Sequence, residues 1–372
     1  MTDSSRIAWI EAQLADQGAD VFAVFSTAWH AMGDPNGVRM LTGFKNLGDA
    51  VLILDADGGR TLIVSPAWDA ERAREQAAGC RVIATDDLGE ALARELAGRK
   101  RARRQIGTAG LDRMPRRIAG PIGDICAGRM RPMDDMLDRA GRCKTPAEIA
   151  RAREIAAIAE KVFDRLLECA KPGMHEFELA SELYRYSKEI GADDNFLLMS
   201  SSQNHKAPRP PNRRVLAEGD LILGEISPGA DGQFVQICRT AVLGPISDIQ
   251  RANYDILWTS MQRGMAAAKP GRAVAEVADA MNAAVAEAGY ADYCGPPYFR
   301  VRGHAVGNVS SLPGDIDPNN RTLLEEGMTF VMHPNQYLPG SGYMMLGEPV
   351  VITPAGAEPL STRLSKLVSI PV

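Results

Sequence analysis

Histidine is scarce in this chain, with five in 372 residues, and the six cysteines (Cys80, Cys126, Cys143, Cys169, Cys238 and Cys294) form no CxxC pair and no repeating spacing. That scatter excludes a disulfide framework and a structural zinc site, and it makes reduced thiols in a cytoplasm the expectation. Nowhere do about 18 apolar residues run uninterrupted, so no membrane-spanning helix is expected. The opening MTDSSRIAWIEAQLADQ carries acids in its first turns and no apolar core segment, unlike a signal peptide. A large charge excess is also missing. The 42 basic and 47 acidic side chains leave a net charge of −5, which argues against a nucleic-acid or anionic-membrane surface. The one basic run (Arg99, Lys100, Arg101, Arg103, Arg104) has no interleaved aromatics and reads as a solvated helix end.

What remains is an ordinary globular composition, 45% apolar and 24% charged, long enough for two domains. The first 140 residues alternate helical stretches with the apolar runs DVFAVFS, AVLILDA, RTLIVS and CRVIAT, the pattern of a small α/β domain. Gly110 to Gly141 has weak periodicity and reads as the closing part of that domain plus a linker. A boundary follows near residue 143. Thr145-Pro146-Ala147-Glu148 is a capping box with proline at the first helical position. Ile149, Ala152, Ile155, Ile158, Val162 and Leu166 then form the apolar face of a long helix that ends at Lys171-Pro172-Gly173. A second KPG at Lys269-Pro270-Gly271 also follows a helical pattern, so an internal duplication with a pseudo-twofold axis is expected. Strand-like runs lie between and after the helices: GDLILGEISPG, DGQFVQICRTAVLG, YFRVRGHAVG, EEGMTFVMHP and GEPVVITPAG.

In that order, from Lys144 to Ser361, these motifs resemble the pita-bread-fold family, whose members include aminopeptidase P, prolidase, methionine aminopeptidase and creatinase. LTGF and the α/β pattern before it resemble the N-terminal domain of the prolidase and creatinase branch. The resemblance implies an α+β chain: residues 1–142 as a smaller α/β domain supplying lid and dimer contacts, and residues 143–372 as the pita-bread catalytic domain. It also implies a homodimer.

The family's metal ligands are Asp, Asp, His, Glu and Glu. The resemblance places them on Glu225, Gln236, His304, His333 and Gly347, with Glu348 one position late. Only His304 is unchanged. Two divalent ions need several carboxylates, and this set supplies one, so no cofactor is expected. A single divalent ion on Glu225, His304 and His333 is the alternative. The histidines then point to acid–base chemistry of the creatinase kind, with His304, His333 and Glu225 as catalytic candidates. His205 joins them, standing three residues before the position where the family has another histidine. Arg300 and Arg302 alternate with His304 and would fork a substrate carboxylate. Gln236, Ser311 and Glu348, with Phe44 and Lys45 of the N-terminal loop, complete the candidate substrate-binding set.

The expected function is metal-independent hydrolysis of a non-peptide C–N bond (amide, cyclic amidine or guanidino) in a small carboxylated metabolite. An Xaa-Pro-type metallopeptidase with an altered single-metal site, a lyase or C–C hydrolase, and a non-catalytic binding protein are the rivals. The expected partner is a small-molecule substrate, with no nucleic acid and no membrane.

Overall fold

A computed structural model describes residues 3–28, 32, 36–98, 105–126, 128–308 and 313–372. His30, the basic run 99–104 and Ser311 lie outside the described residues. The chain divides into two units, Met1–Arg142 and Cys143–Val372.

The first unit runs α1 (Asp3–Asp16), β1 (Ala19–Ser26), α2 (Gly37–Thr42), β2 (Ala50–Asp55), β3 (Arg60–Val64), α3 (Ala70–Gln76), β4 (Arg81–Ala84), α4 (Leu88–Gly98), β5 (Gln105–Ala109), α5 (Arg116–Ile125), β6 (Met130–Pro132) and α6 (Asp134–Gly141). Its six strands lie in the order β4-β3-β2-β1-β5-β6. Strand β1 pairs antiparallel with β2 and parallel with β5, and as a central strand covered on both faces it is apolar almost throughout. The linker expected after Gly110 is instead α5, the edge strand β6 and α6. Each element is too short to show a period in sequence, yet Ile118 and Ile122 of α5 and Met136, Leu137 and Ala140 of α6 are buried.

The second unit runs α7 (Pro146–Cys169), α8 (Glu176–Glu189), β7 (Asp194–Ser202), β8 (Leu221–Ala230), β9 (Gln233–Phe234) and β10 (Ile237–Leu243). The second half follows with α9 (Asp248–Ala267), α10 (Val274–Val285), β11 (Gly303–Ala305), β12 (Thr329–Met332), β13 (Gln336–Leu338), β14 (Gly342–Met344), β15 (Glu348–Thr353), β16 (Gly356–Pro359) and β17 (Val368–Ile370). One sheet has the order β17-β10-β8-β7, with β9 on β8, and the other β11-β12-β15-β16, while β13 and β14 form a separate hairpin. No helix among the described residues is long and apolar enough to cross a membrane.

The duplication is visible in the hydrogen bonds. Thr145 and Glu148 cap α7 reciprocally, and Ser247 and Gln250 cap α9 in the same way. Gly173 and Gly271 both turn with positive φ, 87° and 83°, as the two KPG turns require. The Gly173 amide donates to the Leu216 carbonyl at 2.9 Å, and the Gly271 amide donates to that of Leu324 at 2.8 Å. His175 then bridges Val215, as Ala273 bridges Leu323.

Each half buries its own core. Val162, Leu166, Leu179 and Leu183 of the first helix pair pack on Leu197, Ile222, Ile226 and Ile237. Leu257, Met261, Val277 and Met281 of the second pack on Ala305, Phe330, Met332 and Ile352. Strand side chains alternate between faces, so seating these residues on the helices turns Leu223 and Glu225 of β8, Cys238 of β10 and His304 of β11 to the opposite face.

Candidate active site

Strand register builds the site as a row. Leu198 of β7 lies opposite Glu225 of β8, and Glu225 lies opposite Cys238 of β10. Cys238 crosses to the second half by exchanging backbone hydrogen bonds with Gly347, at 3.1 and 2.9 Å. A Cβ placed on Gly347 would stand 2.9 Å from the Cβ of His333 and 2.8 Å from that of Cys238. The His333 ring meets the His304 ring edge to face, centroids 5.4 Å apart.

Burial sets the protonation states. It pushes the Glu225 carboxyl up to about 7, against the opposing field of the Arg300 guanidinium. It pulls His333 down to about 3, helped by the neighbouring His304, and it lowers His304 as well. Both imidazoles are therefore neutral at pH 7. His304 Nδ1 lies 2.9 Å from the Ala305 carbonyl, to which an N–H at that position donates, leaving Nε2 with its lone pair. The Cys238 thiol is pushed far up by burial and by Glu225, and it accepts hydrogen bonds from Gln236 and Asn335.

An aromatic wall flanks the row. Tyr343 is buried against Cys238 and Leu223, and Tyr337 is its cross-strand partner. The Tyr337 ring stacks on Tyr298 at 5.9 Å, and Lys206 sits over it at 4.3 Å, donating to its hydroxyl at 3.0 Å.

Several candidates from the sequence are placed elsewhere. His205 is buried behind the row, its Nε2 at 2.9 Å from the Leu221 carbonyl and its charged neighbours Arg209, Glu176 and Asp220, so it does not join the histidine pair. Glu348 is taken up by structure: its carboxylate pairs with Arg239 at 3.2 Å and accepts from Ser361 and the Ser365 amide. Arg300 and Arg302 do not fork, because the strand begins only at Gly303. Arg300 is exposed and meets Asp315 at 3.4 Å, whereas Arg302 is fully buried. Gln236 accepts from Ser227 at 3.3 Å. Phe44 is a core residue of the first unit, fully buried with Arg72 over its ring, and so does not present a lid side chain. The adjoining Lys45 carbonyl accepts from Arg72. Cys238, Tyr343 and Leu198 were missed, although Cys238 is two residues after Gln236 on the same face, a signal that alternation offered.

These residues do not fit a pair of divalent ions. Gln236 is neutral, Gly347 has no side chain, and Glu225 is the one carboxyl left, its charge disfavoured by burial. Among the described residues no three His, Cys, Asp or Glu side chains are grouped so as to hold an ion.

Residues 150–354 match the model of a family described as metallopeptidase family M24. The chain is 25% identical over 343 residues to the uncharacterized peptidase YqhT of Bacillus subtilis, spanning 89% of this chain and 92% of that one. It is 28% identical over 233 residues to the Xaa-Pro dipeptidase of Pyrococcus furiosus, 62% of this chain and 66% of that one. Two solved structures share the fold. The Xaa-Pro dipeptidase of Bacillus anthracis superposes with a TM-score of 0.86 at 21% identity, over 99% of this chain and 100% of that one. The X-Pro aminopeptidase of Thermotoga maritima gives 0.85 at 20% identity, over 98% and 99%. The family description and the relatives' names overturn the expected metal-independent hydrolysis of a non-peptide C–N bond, together with the creatinase model and the expectation of no cofactor.

Proposed function

The chain belongs to metallopeptidase family M24, and from that membership we propose that it hydrolyses the peptide bond of short peptides, of the Xaa-Pro kind for which its relatives are named. The observation that carries this reading is the row itself. Glu225, His333 and His304 stand at positions matching the family's ligands, on the face that both sheets turn away from their helices. A carboxyl near pH 7 suits acid–base work on an amide. In the ionised form Glu225 takes a proton from the attacking water, and it returns that proton to the leaving nitrogen as the C–N bond breaks. The neutral imidazoles of His304 and His333 accept hydrogen bonds and orient the water. Since the donor set does not fit two divalent ions, no step here runs through a metal.

The test is amino-acid release from a panel of Xaa-Pro dipeptides, with protein as purified, after chelation, and with added Mn²⁺ or Zn²⁺. Cleavage of at least one dipeptide, reduced at least about 100-fold in Glu225→Ala and His304→Ala, is expected from loss of acid–base groups. No cleavage under any of these conditions, or unaffected variants, would overturn the reading.

A further inference from the structure

Two arginines of the second unit are fully sequestered, and their surroundings differ. Arg239 pairs with Glu348 at 3.2 Å and donates to the carbonyls of Cys238, Gly347 and Arg363. Arg302 has no such company. Its Nε donates to the Asn282 side chain at 2.7 Å and its guanidinium lies over the Phe299 ring at 3.7 Å. Both terminal amino groups, Nη1 and Nη2, are buried without a hydrogen-bond partner. The ionisable groups around it are the Cys294 thiol and the Tyr343 phenol, with no carboxylate among them.

A buried cation without a counter-charge is costly, and a fold does not need it. Here the cost comes with orientation. The Nε bond and the ring beneath fix the guanidinium plane, leaving two parallel donors with nothing to bind. That is the geometry a carboxylate fills bidentately. The group also stands beside the row. The His333 amide donates to the Arg302 carbonyl at 2.9 Å, and the guanidinium acts electrostatically on both the His333 ring and Tyr343. Its cover is thin, because the loop Cys294–Arg300 above it is half-buried or exposed throughout.

We propose that Arg302 anchors the free carboxylate of the substrate, so that the chain takes dipeptides rather than peptides with a blocked or extended C-terminus. This rests on the peptidase reading above and adds the residue that sets substrate length. The carboxylate supplies the missing counter-charge, and it presents the adjoining peptide bond to Glu225 and the histidines.

The experiment compares an Xaa-Pro dipeptide with its C-terminal amide, using wild type, Arg302→Met and Arg302→Lys. Wild type is expected to prefer the free carboxylate by about 100-fold in kcat/KM, the order expected of a charge-assisted bidentate pair. Arg302→Met is expected to raise KM for the dipeptide and to bring the two substrates within a few-fold of each other. Arg302→Lys, a point charge without the fork, is expected to fall between. Because the substitution removes an uncompensated charge, Arg302→Met is also expected to melt no lower than wild type. L-proline is expected to raise the melting temperature of wild type but not of Arg302→Met, and L-prolinamide to raise neither. Equal turnover of dipeptide and amide by wild type, or a preference retained in Arg302→Met, would overturn the proposal. A melting point several degrees lower in Arg302→Met would also do so, by assigning the residue a structural role. Absence of all peptide cleavage would instead overturn the peptidase reading, and the proline-against-prolinamide melting comparison would still decide the role of Arg302.

Discussion

Replacing Glu225 by glutamine tests the electrostatics of the site without changing its shape. In the fold the carboxyl holds its proton up to about pH 7, whereas an unburied glutamate releases it at 4.5. Between those values the folded chain binds more protons than the unfolded one, so stability falls as pH rises and levels off above 7. At about 1.4 kcal/mol per pH unit the loss reaches about 3 kcal/mol by pH 8. A carboxamide never ionises and escapes it. Glu225→Gln is therefore expected to match wild type near pH 4 and to exceed it by about 3 kcal/mol at pH 8, while losing activity. His333 acts in the opposite sense, remaining neutral down to about 3, so its contribution is lost as pH drops below 6.5. It is common to both proteins and cancels in the difference. Urea unfolding at pH 4, 6 and 8, followed by the fluorescence of Trp258 with Trp9, Trp29 and Trp68 replaced by phenylalanine, reads the transition of the second unit. A Glu225→Gln protein less stable than wild type at pH 8 would refute the reasoning. It would mean that the carboxylate is ionised in the fold and compensated by a cation.

The same ionisation predicts that kcat/KM falls about tenfold per pH unit below pH 7 and is flat above it, since water is deprotonated by the charged form of Glu225. The C2 proton of His333 is expected not to titrate between pH 5 and 8 by NMR, given its depression to about 3. Glu348→Gln leaves Arg239 buried without its counter-charge and is expected to cost about 3–5 kcal/mol in urea unfolding, partly recovered in Glu348→Gln/Arg239→Met. Gly347→Ala is expected to cost about 1–3 kcal/mol from overpacking, with relief when Cys238→Ala is added.

The fold was largely legible because its signals are local. A capping box, a KPG turn and a three-to-four apolar spacing each lie within a few residues, and the chain uses each twice. The segment after Gly110 was not, because α5 and α6 hide their apolar positions among Arg, Gly and Pro. The site was half legible. His304, His333 and Glu225 could be placed because motif order fixed their positions. Cys238 and Tyr343 escaped because what brings them to the site is pairing between strands remote in sequence: β8 on β10, β13 on β14, and Cys238 on Gly347. His205 misled for the converse reason. Proximity in sequence to a family position carries no information about which side of β8 the ring lies on, and the Leu221 carbonyl holds it on the other.

Gly347 gives the site a history that runs one way. The space where its side chain would begin is already occupied by the Cβ and Sγ of Cys238 and the Cβ of His333. A mutation restoring the family's glutamate there would meet three atoms already in place, before the new carboxylate had anything to bind. Cys238 and His333 would each have to change first, and neither change alone brings back a function. The descendants of this sequence can vary the row, but single substitutions do not lead from it back to a carboxylate cage.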